Sequence, residues 1–208
     1  MTFYRFARAV VLSLCKVVFR VRVVGKENVP RTGAYIVAPS HRSILDVPFS
    51  AFITKRTIRF LAKDELFANR LGERLFTALG AVRVERGTAD RAALRALEAE
   101  LARGEPVAVF PEGTREAGPR LGDLFDGAAY LAVKLGVPIV PVGVGGSEHI
   151  LPKGKFLPRP HRVAVVVGKP IVPPVLEGRA RRAAATKVTD ELAAELQRAF
   201  TEALRIAG

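Results

Sequence analysis

The sequence predicts an α/β fold: a single domain with a largely parallel central sheet flanked by helices, preceded by an N-terminal amphipathic helix that associates with membrane. Short runs rich in Val and Ile alternate with longer segments whose apolar residues recur every three or four positions. Clusters of Gly and Pro separate them. A length of 208 residues fits one domain with a sizeable core, so no second domain is required. We divide the chain into residues 1–20, the interfacial helix, and 21–208, the α/β domain.

On a helix, residues 2–20 place Phe3, Tyr4, Phe6, Val10, Val11, Leu14, Val17 and Val18 on one broad half and Arg5, Arg8, Lys16 and Arg20 on the other. Apolar and aromatic residues opposite a purely basic face are the pattern of a helix lying in the headgroups of an anionic membrane. Residues 21–24 and 34–38 read as strands around the turn-rich "GKENVPRTG". From residue 43 the pattern turns helical, and "RFLA" at 59–62 gives a third strand. A helix follows through Leu66, Phe67, Leu71 and Leu75 and ends near Gly80.

"GAVRVERG" is a brief strand, and the helix over 90–103 carries Leu94, Leu97 and Leu101 on one face with Gly104 as its stop. "PVAVF" is a buried-looking strand, 127–135 a helix, and "VPIVPVGV" the next strand. A last strand, "RVAVVVG", precedes a helix with Leu192, Leu196, Phe200 and Leu204 on one stripe, and "KPIVPPVLEG" between them reads as a hinge. In such a fold, functional groups gather where loops leave the carboxyl ends of strands. His41, Lys63 and Glu112 all fall there.

A formal charge of +13 draws the chain towards polyanions. Nucleic acid is not the expected one, because the chain has 7% aromatics, no Trp and no zinc-finger spacing. The single Cys15 excludes an internal disulfide, and His149 and His161 stand far from any second cysteine, so no metal is expected. As a nucleophile Cys15 is disfavoured by its apolar helix. The longest N-terminal apolar run, 9–15, is bounded by Arg8 and Lys16 and lacks a small-residue cleavage site. Neither a spanning helix nor a signal peptide is expected; the expected location is the cytoplasmic face of the cell membrane, peripheral or monotopic.

"HRSILD" places His41 and Asp46 five positions apart, just past a strand end. An imidazole can take a proton from an alcohol near neutral pH, and a carboxylate on its other nitrogen fixes the tautomer. Ser43 and Asp46 also have the spacing of a capping box. With three His and six Asp in 208 residues, a chance H-x4-D pair is roughly a 9% event, so the pair alone decides nothing. "FPEGTR", 110–115, is more specific: a buried strand ends in a bend, a carboxylate, a bare Gly, a hydroxyl and a guanidinium. Backbone amides around Gly113 and Thr114, with Arg115 beside them, read as a phosphate cradle, and Glu112 as an acceptor for a polyol.

These blocks resemble the 1-acylglycerol-3-phosphate acyltransferases and related glycerolipid acyltransferases. "HRSILD" resembles the H-x4-D box, "GAVRVER" the second box, "FPEGTR" the signature and "VPIVPV" the final box, in order, with "AKDEL" between the first two. The resemblance implies that His41 is the general base for the acceptor hydroxyl and Asp46 its partner, with acyl transfer directly from a thioester. It implies that Arg86, Glu112, Gly113, Thr114 and Arg115 bind glycerol phosphate, with Lys63. Arg83 departs from the second box, where the family carries an aromatic or aliphatic residue, and is a further candidate phosphate contact. The implied partners are a lysophospholipid acceptor and acyl-CoA or acyl carrier protein as donor substrate, with no cofactor beyond these. The implied product is phosphatidic acid, in phospholipid biosynthesis. Other lysophospholipids, glycerol phosphate or a lyso-glycolipid stand as alternative acceptors. A non-catalytic basic module binding membrane or nucleic acid is the alternative outside this class. A serine hydrolase is disfavoured, since no G-x-S-x-G elbow exists and "GGSEH" does not supply one.

Overall fold

A computed structural model describes residues 2–63, 67–84, 90–151, 157–176 and 178–208. Helix α1 (Thr2–Val18) leads into β1 (Arg22–Val24), β2 (Ile36–Pro39) and the short helix α2 (Asp46–Ser50), which a 3-10 turn extends over Ala51–Ile53. Then come β3 (Arg59–Lys63), α3 (Arg70–Ala78), β4 (Ala81–Val84), α4 (Asp90–Ala102) and β5 (Val107–Ala108). Helix α5 (Gly127–Leu135), β6 (Ile139–Gly145), α6 (Ser147–Ile150), β7 (Ala164–Val167) and α7 (Gly178–Ala207) complete the chain.

The strands form one sheet in the order β1-β7-β6-β2-β5-β3-β4. All neighbours are parallel except β6 and β7. β2 lies in the middle and is buried throughout, which is why it is a continuous apolar run rather than an alternating one. Its side chains, with Tyr35 just before it, divide the core: Tyr35 and Val37 pack with Cys15, Phe19 and Phe49 on one face, and Ile36 and Ala38 with Leu97, Leu131 and Leu196 on the other. β2, β5 and β3 are adjacent and parallel, so their carboxyl ends, and the loops after them, share one edge.

Two expectations need correction. The segment read as a hinge is tied to the sheet near its start: Ile171 is buried, and it and Ile139 exchange both backbone hydrogen bonds, at 2.8 and 2.9 Å. Helix α1 is not divided simply into an apolar half and a basic half. Cys15 and Phe19 are buried in the core, while Phe6, Val10, Leu14 and Val17 are exposed, so two apolar arcs lie on opposite sides. Arg8, placed on the basic half, turns inward and donates to the carbonyls of Ala51, at 2.7 Å, and Thr54. A wheel shows which residues oppose one another, but not which arc the domain covers.

β6 carries Gly143 and Gly145, and α7 crosses them with Ala199 and Ala203. A Cβ added to Gly143 would stand 2.3 Å from the Ala199 carbonyl group, and one on Gly145 2.5 Å from that of Ala203. These contacts are backbone and cannot give way. Gly143→Ala should therefore destabilise the fold by about 3 kcal/mol in urea unfolding, and a loss below about 1 kcal/mol would show that helix and strand are not so close.

Candidate active site

The site forms at the shared edge. β2 delivers Ser40 and His41, and the Ser40 hydroxyl accepts from the Val144 amide at 3.0 Å, taking the place of a ladder carbonyl one step past the strand. Asp46 opens α2 and is fully buried. Its Oδ2 accepts three hydrogen bonds, from the amides of Arg42 and Ser43, each at 2.6 Å, and from His41 Nδ1 at 3.2 Å. One oxygen thus makes the contacts of both readings of H-x4-D, reaching back to the Ser43 amide and meeting the imidazole, but Ser43 is not the cap: the helix begins at Asp46 with Leu45 at its N-cap position, and the Ser43 hydroxyl accepts from the Leu45 amide instead. With Nδ1 donating to Asp46, Nε2 keeps its lone pair. Asp46 Oδ1 is buried without a hydrogen-bond partner among the described residues, so the contacts that orient the imidazole and the turn all fall on Oδ2. The Phe110 ring lies against the imidazole, centroids 4.1 Å apart.

After β5, the "FPEGTR" turn is organised differently from the cradle and polyol site expected. The Gly113 amide donates to Phe110 O at 3.1 Å and the Thr114 amide to Glu112 O at 2.7 Å, so both close their own turn rather than facing an anion. Gly113 holds φ +68° beneath the Phe125 ring, where a Cβ would meet ring carbon at 2.9 Å. Glu112 is 3% exposed and its oxygens are taken by protein donors: Oε2 by the His41 amide at 2.8 Å, Oε1 by Arg42 at 2.8 Å and Gly122 N at 3.0 Å. It braces the loop that carries the base instead of meeting a polyol.

Arg42, which the sequence did not single out, is the partner that makes this possible. Its guanidinium is buried, pairs with Glu112, donates to the carbonyls of His41, Gly118 and Arg120 at 3.0, 3.3 and 2.8 Å, and lies 4.6 Å over the Phe200 ring. Nothing local marks it, because apart from the neighbouring His41 carbonyl its partners come from 70 and more residues downstream.

A cavity of about 950 Å³ opens at this edge. His41, Gly113, Thr114, Arg115 and Glu116 line one part; Val11, Leu12, Val47, Ile58, Phe60 and Phe76 belong to its apolar remainder. Gly113, Thr114 and Arg115 are exposed there, and the Thr114 hydroxyl donates to Glu116 Oε1 at 2.8 Å. Glu116 is a second residue not anticipated; its amide donates to His41 O at 3.0 Å. Lys63 ends β3 at the same edge, its side chain outside the described part, and Arg86 lies outside the described residues. Arg83 packs its guanidinium 4.8 Å over Phe67 and is not among the cavity residues. Burial pushes the Cys15 thiol above its ordinary value, which suits a core residue and not a nucleophile. Among the described residues no three His, Cys, Asp or Glu side chains come together to hold a metal.

The Arg42–Glu112 pair gives a direct test. Glu112→Leu leaves a buried guanidinium unpaired and should destabilise the protein by about 3–5 kcal/mol, whereas Arg42→Met combined with Glu112→Leu should recover part of that in urea unfolding. A double variant as unstable as the sum of the two singles would show that the pair is not coupled.

The sequence model of the acyltransferase family matches residues 20–145. A 1-acyl-sn-glycerol-3-phosphate acyltransferase of Chlamydomonas reinhardtii is 33% identical over 190 residues, 88% of this chain and 56% of its own length. A protein of the same name from Bacillus subtilis is 28% identical over 152 residues, 73% of each. The crystal structure of the 1-acyl-sn-glycerophosphate acyltransferase PlsC from Thermotoga maritima superposes with a TM-score of 0.67 at 28% identity, covering 89% of this chain and 79% of that one. The chain spans about half the length of the algal and plant relatives it matches. With the family model covering more than half of its residues and the H-x4-D and FPEGTR blocks at one edge of the sheet, the chain belongs to the acyltransferase family.

Proposed function

We propose that the protein moves a fatty acyl group from an acyl thioester, acyl-CoA or acyl carrier protein, to the free hydroxyl of 1-acylglycerol-3-phosphate, forming phosphatidic acid in phospholipid synthesis. The observation that carries this reading is the His41–Asp46 pair, 3.2 Å apart, on the wall of a cavity that is apolar over most of its lining and bears Arg115 beside the base. His41 Nε2 takes the hydroxyl proton as the oxygen attacks the thioester carbonyl; the imidazolium, held by Asp46, returns that proton to the departing thiolate. Arg115, with Lys63 and Arg86, supplies cationic groups for the phosphate, and the exposed Gly113–Thr114 turn lets the glycerol approach closely. The acyl chain lies against Ile58, Phe60 and Phe76. No cofactor enters the reaction, since the donor thioester is already activated.

The exposed stripe Phe6, Val10, Leu14 and Val17 on α1 suits a lipid surface, and the net charge of +13 an anionic one, at the cytoplasmic face. No helix among the described residues is long and apolar enough to cross a membrane. A helix lying in the interface brings both amphiphilic substrates to the cavity without crossing the bilayer.

Purified protein mixed with acyl-CoA and lysophosphatidic acid should release free thiol. No release with that acceptor, glycerol phosphate, lyso-glycolipid or other lysophospholipids, using CoA and carrier-protein donors alike, would sink the reading. His41→Ala should abolish turnover with the fold intact, and Asp46→Asn should lower kcat about 10³-fold or more by releasing the tautomer; a near-parental rate in either would remove that residue from the mechanism. In flotation with anionic vesicles, Phe6→Asp with Leu14→Asp should weaken association at least about tenfold, given the apolar area each residue would withhold from lipid. Unchanged flotation would detach α1 from the membrane.

A further inference from the structure

The face of α1 opposite the exposed stripe carries Arg8, Val11, Leu12 and Cys15, spaced at three and four residues and turned into the domain, with Phe19 following just past the helix end. Three of these, Arg8, Val11 and Leu12, are walls of the 950 Å³ cavity. Arg8 is the unusual one, a cation on an otherwise apolar stretch of wall. Its guanidinium donates to Ala51 O and Thr54 O, the carbonyls at the far end of the short helical segment that Asp46 begins. Carbonyls at a helix end lack partners within the helix and carry partial negative charge, so a cation is well placed there. At about 1.5 Å per residue, Asp46 and Ala51–Thr54 are separated by roughly 8–12 Å along this segment. Val47, Pro48, Ser50 and Ala51 line the cavity between them. The reacting groups are therefore at one end of this wall and Arg8 is at the other.

We propose that Arg8 closes the acyl end of the cavity and sets the longest acyl chain that the protein accepts, a specificity role that rests on the acyltransferase reading above. Among the described residues its partners are two carbonyls and not a carboxylate, and a guanidinium held by two of its donors does not move aside for a methyl group. A chain that reaches it must either stop or displace hydrogen bonds that hydrocarbon cannot replace. Because the other face of α1 carries the lipid-facing stripe, one helix both seats the protein on the membrane and forms the floor of its donor pocket.

The test uses the full chain with Arg8→Ala, Arg8→Met and Arg8→Lys. Dissociation constants for non-hydrolysable S-alkyl-CoA thioethers of graded chain length read the pocket without any acceptor, and rates with the matching acyl-CoAs and lysophosphatidic acid read turnover. The parent should bind tighter with each added methylene up to a limit and then weaken. Arg8→Ala and Arg8→Met should move that limit out by two carbons or more and raise the relative preference for the longest chain about tenfold, the step expected for burying two further methylenes. Arg8→Lys should hold the limit near the parent's, and flotation should be unchanged in all three. A uniform loss across chain lengths, an unmoved limit in both Arg8→Ala and Arg8→Met, or no limit in the parent would overturn the proposal. A parent that binds thioethers with a limit but acylates no lysophosphatidic acid would leave Arg8 in its role and sink the acceptor reading instead.

Discussion

The site is held by a buried ion pair that bridges two loops distant in sequence. Arg42 and Glu112 each have side chains only 1% exposed, and each meets several further groups: three carbonyls for the guanidinium, two amides for the carboxylate. Taking two charges out of water costs several kcal/mol per ion, and only a full set of partners offsets it. Here the set is full, and its members are the parts that must be kept in register. The His41 amide and carbonyl, the turn at Phe110–Gly113 and the strap at Gly118–Gly122 all refer their positions to this pair. Its value lies in fixing geometry more than in adding stability, because an apolar pair of similar volume would bury as well but would not hold the base against the turn.

The dyad depends on that register through the backbone. Asp46 Oδ2 gathers two amides and the imidazole from consecutive residues, so the orientation of His41 is set by the same turn that starts α2. Glu112 then holds the His41 amide from the opposite side. A base fixed by one carboxylate on its ring and another on its main chain keeps Nε2 aimed without relying on the substrate, which reduces reorganisation during the proton transfer.

Much of this was legible in the sequence, and the limits have physical reasons. Apolar runs located the strands, since central strands of a parallel sheet are buried on both faces. The strand read from "PVAVF" shrinks to Val107–Ala108 because the chain leaves the ladder to enter the turn that Glu112 and Gly113 organise. The spacing of His41 and Asp46 was readable because both partners lie within five residues. Arg42 and the bracing role of Glu112 were not, since each gains its meaning from the other across about seventy residues. The cradle of amides at Gly113 and Thr114 failed for a related reason: residue types report that a turn exists, but not that its own carbonyls have already taken the donors. Arg8 shows the same limit on a helix, where charge predicted solvent and tertiary packing supplied two carbonyls instead.

The C-terminal helix, silent in any motif, belongs to the site by the same logic. α7 approaches β6 as closely as backbone allows because Gly143 and Gly145 offer no side chains and Ala199 and Ala203 offer small ones. That closeness puts Phe200 beneath Arg42 and lets Gln197 accept from Leu121 N at 2.9 Å while donating to Pro119 O at 3.1 Å. The strap over residues 118–122 is thus clamped between α7 and the ion pair. A small residue on β6 therefore acts on the base through three steps: it sets the depth of α7, α7 sets the strap and the guanidinium, and the guanidinium sets Glu112 and the His41 amide. Rigid packing transmits each step because neither backbone contact nor buried charge has a nearby alternative arrangement.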